Sequence, residues 1–113
     1  MPDPLNWQTF QQPLADVAAA GSNRFYCPFS GYLRRVNCTL SGALAGGDAT
    51  LTVSLNNSNL SPTIVVTSSG SAEGDFDEGL YFTPVKKGDW IEVTTDGGGN
   101  STVPVTIGIT LSQ

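Results

Sequence analysis

The sequence predicts an all-β chain, an antiparallel β-sandwich, and three segments carry that prediction. Over residues 47–57, Leu51, Val53 and Leu55 fall on one face of an extended chain, and Thr50, Thr52 and Ser54 on the other. Residues 90–95 and 103–111 follow the same rule. A period of two marks a strand with one buried face. Clusters of glycine, proline, asparagine and serine separate these runs, as turns require.

Residues 1–13 stand apart. Pro2, Pro4 and Pro13 oppose a regular helix or a central strand, and Gln8, Gln11 and Gln12 add polar character. The segment reads as an extended N-terminal arm, with residues 14–113 as the sandwich domain. Its apolar residues, Leu5, Trp7 and Phe10, either pack along the domain or dock on a partner, since aromatic residues are enriched at interface centres. Residues 14–20 read as a strand, 21–23 as a turn, and 24–27 as a short strand that Pro28 stops.

Over residues 32–40, strict alternation puts Tyr32, Arg34, Val36, Cys38 and Leu40 on one face and Leu33 on the other. The adjacent Arg34 and Arg35 mark a bulge or a sheet edge. Strands follow over residues 48–55, 62–67 and 75–82, the last with Phe76, Leu80 and Phe82 as core candidates. Loops rich in Gly, Asn and Ser join them at 42–48, 56–59, 68–74, 85–89 and 96–100. The total is about eight strands, and an eight-stranded jelly roll is the most economical arrangement, because two packed sheets bury one face of every strand. An immunoglobulin-like sandwich or a small barrel would satisfy the same pattern.

Composition narrows the function. At 113 residues the chain is one domain, which buries roughly two-thirds of its extended surface. Charged residues are only 13% of the chain, and the net charge is −5. Sequence-independent nucleic-acid binding needs clustered cations, so no nucleic-acid partner is expected. Arg34-Arg35 and Lys86-Lys87 are either solvated charge or contacts for an acidic protein surface. No window approaches a membrane span of roughly 20 apolar residues. The first residues lack the basic start and apolar run of a secretory signal, which points to a reducing cytosol or a particle assembled there. Cys27 and Cys38 would form one disulfide if their strands are neighbours, a pairing that spacing does not reveal; two reduced, buried thiols acting as small apolar residues are favoured.

The chain has no histidine, so it lacks the commonest general base and metal ligand. Without it no hydrolase triad of the usual composition can be built, and the chain does not read as an enzyme. No cofactor is expected. The acidic cluster Glu73, Asp75, Asp77 and Glu78 reads as a solvated loop ahead of a calcium site or an acid–base pair. The run 96–100 is glycine-rich but lacks the lysine of a phosphate loop. Trp7, Tyr26, Tyr32, Tyr81 and Trp90 are candidates either for a glycan-binding face or for packing.

The order of motifs suggests a family. Residues 41–56 carry SGALAGGDATLTVSLN, 69–77 carry SGSAEGDFD, 85–97 carry VKKGDWIEVTTDG and 103–111 carry VPVTIGITL. Across residues 31–113 the chain resembles small structural proteins of tailed bacteriophages, in particular head decoration (cement) proteins with a jelly-roll body. The resemblance implies a virion protein, made in the host bacterial cytoplasm, that binds the outer capsid surface and stabilises contacts between major capsid subunits. It also implies a homo-oligomer, a trimer ahead of a dimer. The residues expected to meet the partner are Leu5, Trp7, Phe10, Arg34 and Arg35. On this reading the arm is dispensable for folding and needed for docking. The alternative is a carbohydrate-binding or fibre and tail adhesion module.

Overall fold

A computed structural model describes residues 7–18, 20–99 and 102–113. These form nine strands: β1 (Trp7–Leu14), β2 (Gly21–Tyr26), β3 (Gly31–Leu40), β4 (Ala49–Leu55), β5 (Ser58–Asn59), β6 (Ile64–Val66), β7 (Phe76–Val85), β8 (Trp90–Thr95) and β9 (Val105–Ser112). The four-stranded sheet has the order β1-β9-β3-β7, and the five-stranded sheet the order β2-β8-β4-β5 with β6 also paired to β4. Every pairing is antiparallel.

The topology follows one rule. The first strand pairs with the last, β2 with β8, β3 with β7 and β4 with β6. The chain is thus one antiparallel ribbon, folded so that successive strand pairs fall in alternate sheets. This is the eight-stranded jelly roll that the alternation predicts. The ninth strand, β5, is a two-residue extension of the turn after β4, where Asn56 and Asn57 take positive φ.

Between the sheets lies a single apolar core. Leu33, Val36, Leu51, Val53, Ile91, Val93, Ile107, Ile109 and Leu111 are fully buried in it. Each such side chain stabilises the fold by roughly 1.5–3 kcal/mol relative to exposure. Cys27 and Cys38 are buried there as free thiols. Burial, and then the charge of Asp77, pushes the Cys38 thiol up to about 12; burial and then Asp89 push Cys27 up to about 11. Both are therefore uncharged and unreactive near neutral pH.

Residues 7–13 do not form a free arm. Trp7 through Leu14 pair residue by residue with Ser112 through Val105. Proline at position 13 is compatible with this because β1 is a sheet edge, where a missing N–H leaves no partner unsatisfied. Phe10 points between the sheets, with its ring 5.0 Å from Phe25 and 6.5 Å from Phe29. It closes the gap beside β1 and β2 and is not free to meet a partner. Leu5 lies outside the described residues. The strand expected over 14–20 is also absent: Leu14 ends β1, and the segment that follows turns towards β2. Asp16 organises that turn, its Oδ1 accepting the N–H groups of Ala18 and Val103. Conversely, residues 21–23 belong to β2 and are not a turn.

Aspartates hold other loops in the same manner. Asp48 accepts the Ser68 N–H, Asp75 that of Ala72, Asp89 that of Lys86, and Asp96 those of Thr50 and Gly98. Bonds from the Lys86 and Thr50 N–H groups are the leading reason that Asp89 and Asp96 lie below the usual carboxylate range. Their contribution to stability is present at neutral pH and is lost as pH falls through those lowered values. The run 96–99 is tight because it must be: a Cβ on Gly98 would stand 1.9 Å from the Asp48 carbonyl oxygen.

The pairing of β3 shifts between Leu33 and Arg35, against both β7 and β9. Strict alternation would place Leu33 opposite to Val36, Cys38 and Leu40. The shift turns Leu33 inward with them, and all four are buried. The adjacent arginines thus mark a bulge in a central strand, not a sheet edge. Leu33→Ala is expected to lower the unfolding free energy by about 2–5 kcal/mol, read from the urea midpoint at unchanged slope.

Candidate functional site

The outward face of the four-stranded sheet gathers the residues with the strongest recognition chemistry. The bulge leaves Arg34 and Arg35 side by side over the middle of this face. The Arg34 guanidinium carbon lies 4.5 Å from the Phe82 ring centroid, 5.0 Å from that of Trp7 and 5.6 Å from that of Tyr32. Its Nε donates to the Ser112 hydroxyl at 2.7 Å. Tyr32 and Phe82 stack at 4.8 Å with only 6° between their planes. Four strands supply this cluster: β1 gives Trp7, β9 Ser112, β3 Tyr32 and Arg34, and β7 Phe82. Each cation–ring contact at a partly exposed site is worth roughly 0.5–1 kcal/mol.

Arg35 turns the other way and pairs with Glu78 at 3.7 Å. Beneath both arginines, Thr110 and Ser112 are buried although they lie on the outward side of β9, and Thr110 is hydrogen-bonded to Thr9 at 2.8 Å.

Strand β7 completes the face in a way the sequence did not predict. Phe76, Leu80 and Phe82 are 50%, 65% and 65% exposed, not core residues. The opposite parity is inward: Gly79, Tyr81 and Val85 are buried. Tyr81 fixes this choice, because its hydroxyl donates to the Pro62 carbonyl at 2.6 Å. Burial raises that hydroxyl to about 12, so it stays a donor.

The candidate aromatic residues therefore do not share one surface. Trp7 and Tyr32 lie on the four-stranded sheet and Tyr81 is inside. Tyr26 and Trp90 are register partners on the five-stranded sheet. There Tyr26 is 57% exposed, and Arg24 lies over the Trp90 ring at 5.2 Å while pairing with Glu92 at 3.7 Å.

The acidic cluster disperses. Asp75 is occupied by its loop and Glu78 by Arg35, and among the described residues no three His, Cys, Asp or Glu side chains converge as metal ligands would. A depression of about 280 Å³ lies beside the turn after β1, lined by residues 13–16 and 20–22. Asp16 is its one ionisable group and is already committed to backbone N–H groups. Neither place assembles a nucleophile with a base.

Two outcomes follow. Arg34→Ala should change the near-ultraviolet circular dichroism of Trp7 and Tyr32 while costing about 1–2 kcal/mol in stability, from lost ring contacts and the Ser112 bond. Asp77 is held above the usual carboxylate range by burial first, then by the charges of Asp75 and Asp48. Its ionised form is thus disfavoured on folding, a cost absent at low pH and complete once pH exceeds the raised value. Asp77→Asn should raise the melting temperature at neutral pH and leave it unchanged near about pH 2.5, with a gain of about 0.5 kcal/mol or less because solvent screens the group.

No family model matches the chain, and no curated protein matches it in sequence. Among solved structures, it is similar to part of the catalytic unit of a thermostable GH87 α-1,3-glucanase from Streptomyces thermodiastaticus strain HF3-3, with a TM-score of 0.58 and 15% identity. That match covers 97% of this chain but only 26% of the glucanase chain. It is also similar to a family 35 carbohydrate-binding module from Clostridium thermocellum, with a TM-score of 0.52 and 13% identity, over 93% of this chain and 92% of the module. At such identities the likeness shows a shared β-sandwich fold and no more.

Proposed function

We propose that the chain is a structural protein of a tailed-bacteriophage particle, a decoration protein that binds major capsid subunits through the outward face of its four-stranded sheet. The observation that carries this reading is the exposure of Leu80 and Phe82 near Trp7 and Tyr32 on one surface, with Phe76 exposed at the far end of the same strand. Large apolar side chains gathered on one face mark a surface that another protein covers. Trp, Tyr and Arg are also the residues that dominate binding energy at such interfaces. The guanidinium of Arg34 already covers ring surface on which a sugar would stack, which favours a protein over a glycan on this face. The phage-like motifs over residues 41–111 agree with this assignment. In this role the protein is made in the host bacterial cytoplasm and functions on the capsid surface.

A second reading rests on the other sheet. Tyr26 and Trp90, with Arg24 and Glu92 in the next row and Thr52 and Thr94 farther along the same strands, combine ring surface with hydrogen-bonding groups, and the family 35 carbohydrate-binding module shares the fold. A glycan partner would be expected on this surface, with Tyr26→Ala abolishing binding.

The deciding measurement is the copy number of the chain, relative to the major capsid protein, in purified particles of the phage that encodes it. Comparable copy numbers are expected, and Trp7→Ala should reduce occupancy at least tenfold (about 1.4 kcal/mol). Complete absence from the particle overturns the proposal. A glycan array without signal removes the second reading.

A further inference from the structure

We infer that the free edge of β7 pairs with β7 of a second copy, antiparallel and about a two-fold axis, joining two four-stranded sheets into one. Among the described residues β7 is hydrogen-bonded to β3 on one side only and ends its sheet. An open edge is a template for a further strand, and proteins that stay monomeric blunt it with charge, proline or bulges. The two edges of this sheet differ in the side chains they present: β1 carries Pro13 and the polar residues Gln8, Thr9, Gln11 and Gln12, whereas β7 exposes Phe76, Leu80 and Phe82. From Phe76 to Phe82 its outward row is Phe76, Glu78, Leu80 and Phe82, and its one carboxylate is matched by Arg35. Each edge strand has one proline, next to its last residue, Pro13 in β1 and Pro84 in β7, so residues 76–83 of β7 are left for pairing.

Charge chooses the occupant and the direction. Glu73, Asp75, Asp77 and Glu78 gather at the start of β7, and Lys86 and Lys87 follow its end. A second copy laid antiparallel sets each acidic start against a basic end, whereas a parallel copy sets like against like. With the two Leu80 residues face to face, Glu78 stands opposite Phe82, and the acidic residues around the start of one β7 lie at the same end as Lys86 and Lys87 of the second copy. One strand therefore supplies both halves of its own complement, which is the property a two-fold contact requires. The ladder would supply backbone hydrogen bonds, and the Leu80 and Phe82 side chains would cover one another across the axis. Pairing would also double the outward face described above.

This goes beyond the capsid reading and does not depend on it, because it is tested on purified protein without capsids. Sedimentation equilibrium of the full chain should give twice the 11.8 kDa chain mass at high concentration. Leu80→Asp should give a monomer with an unchanged far-ultraviolet spectrum. The double variant Lys86→Glu, Lys87→Glu should weaken association roughly tenfold, and added salt should weaken the wild-type dimer. Leu80→Cys should form a covalent dimer on mild oxidation, since Cys27 and Cys38 are buried. If Leu80→Asp does not fold, hydrogen exchange of the wild-type chain decides: β7 amides should become more protected as concentration rises. A wild-type monomer at every concentration, a trimer, or a dimer that survives Leu80→Asp would overturn the inference.

Discussion

The bulge at Arg34 is the constraint on which the rest of the molecule depends. A one-residue shift in register reverses every side chain beyond it. Here the shift lets Leu33 enter the core at one end of β3 while Val36, Cys38 and Leu40 enter it along the remainder. The same extra residue cannot also point inward, so Arg34 and Arg35 both stand outward, two adjacent cations over the centre of a sheet. Trp7, Tyr32 and Phe82 gather around the first, and Glu78 neutralises the second. The core and the outward arginine–aromatic cluster are therefore products of one backbone irregularity.

The ribbon topology explains why so few charges suffice. Its strands reach one another across long stretches of sequence, so loops must be held in place for the pairs to close. Aspartates do much of this by accepting backbone N–H groups at the turns, which leaves few carboxylates free to form a catalytic or metal centre. The strands' polar faces are then filled with threonine and serine, and solubility comes from hydroxyls and a modest negative charge.

The two outward faces differ in kind. The four-stranded sheet presents apolar side chains and a guanidinium held among rings, a surface suited to burial against protein. The five-stranded sheet presents Tyr26 and Trp90 among groups that donate and accept hydrogen bonds. The first face and the open β7 edge meet at Leu80 and Phe82.

The alternation of Leu51, Val53 and Leu55, of Ile91 and Val93, and of Val105 through Leu111 was enough to determine strands with one buried face; a small barrel would have met the same pattern, and strand pairing decided for two packed sheets. The adjacent arginines signalled a bulge or a sheet edge, and the pairing of β3 on both sides decided for the bulge. Other features were not legible. Strand β1 was hidden by its prolines and glutamines, since its partner β9 lies at the far end of the chain. In β7 both parities carry apolar residues, so alternation could not say whether Leu80 and Phe82 or Tyr81 and Val85 face inward. Pairing with β3 and the Tyr81 bond to Pro62 decided it. The same holds for the aromatic residues, which are similar in sequence context and fall on two outward faces and in the core. Local pattern determined which residues form strands; only long-range pairing decided which side of each strand meets water, and with it which side chains share an outward face.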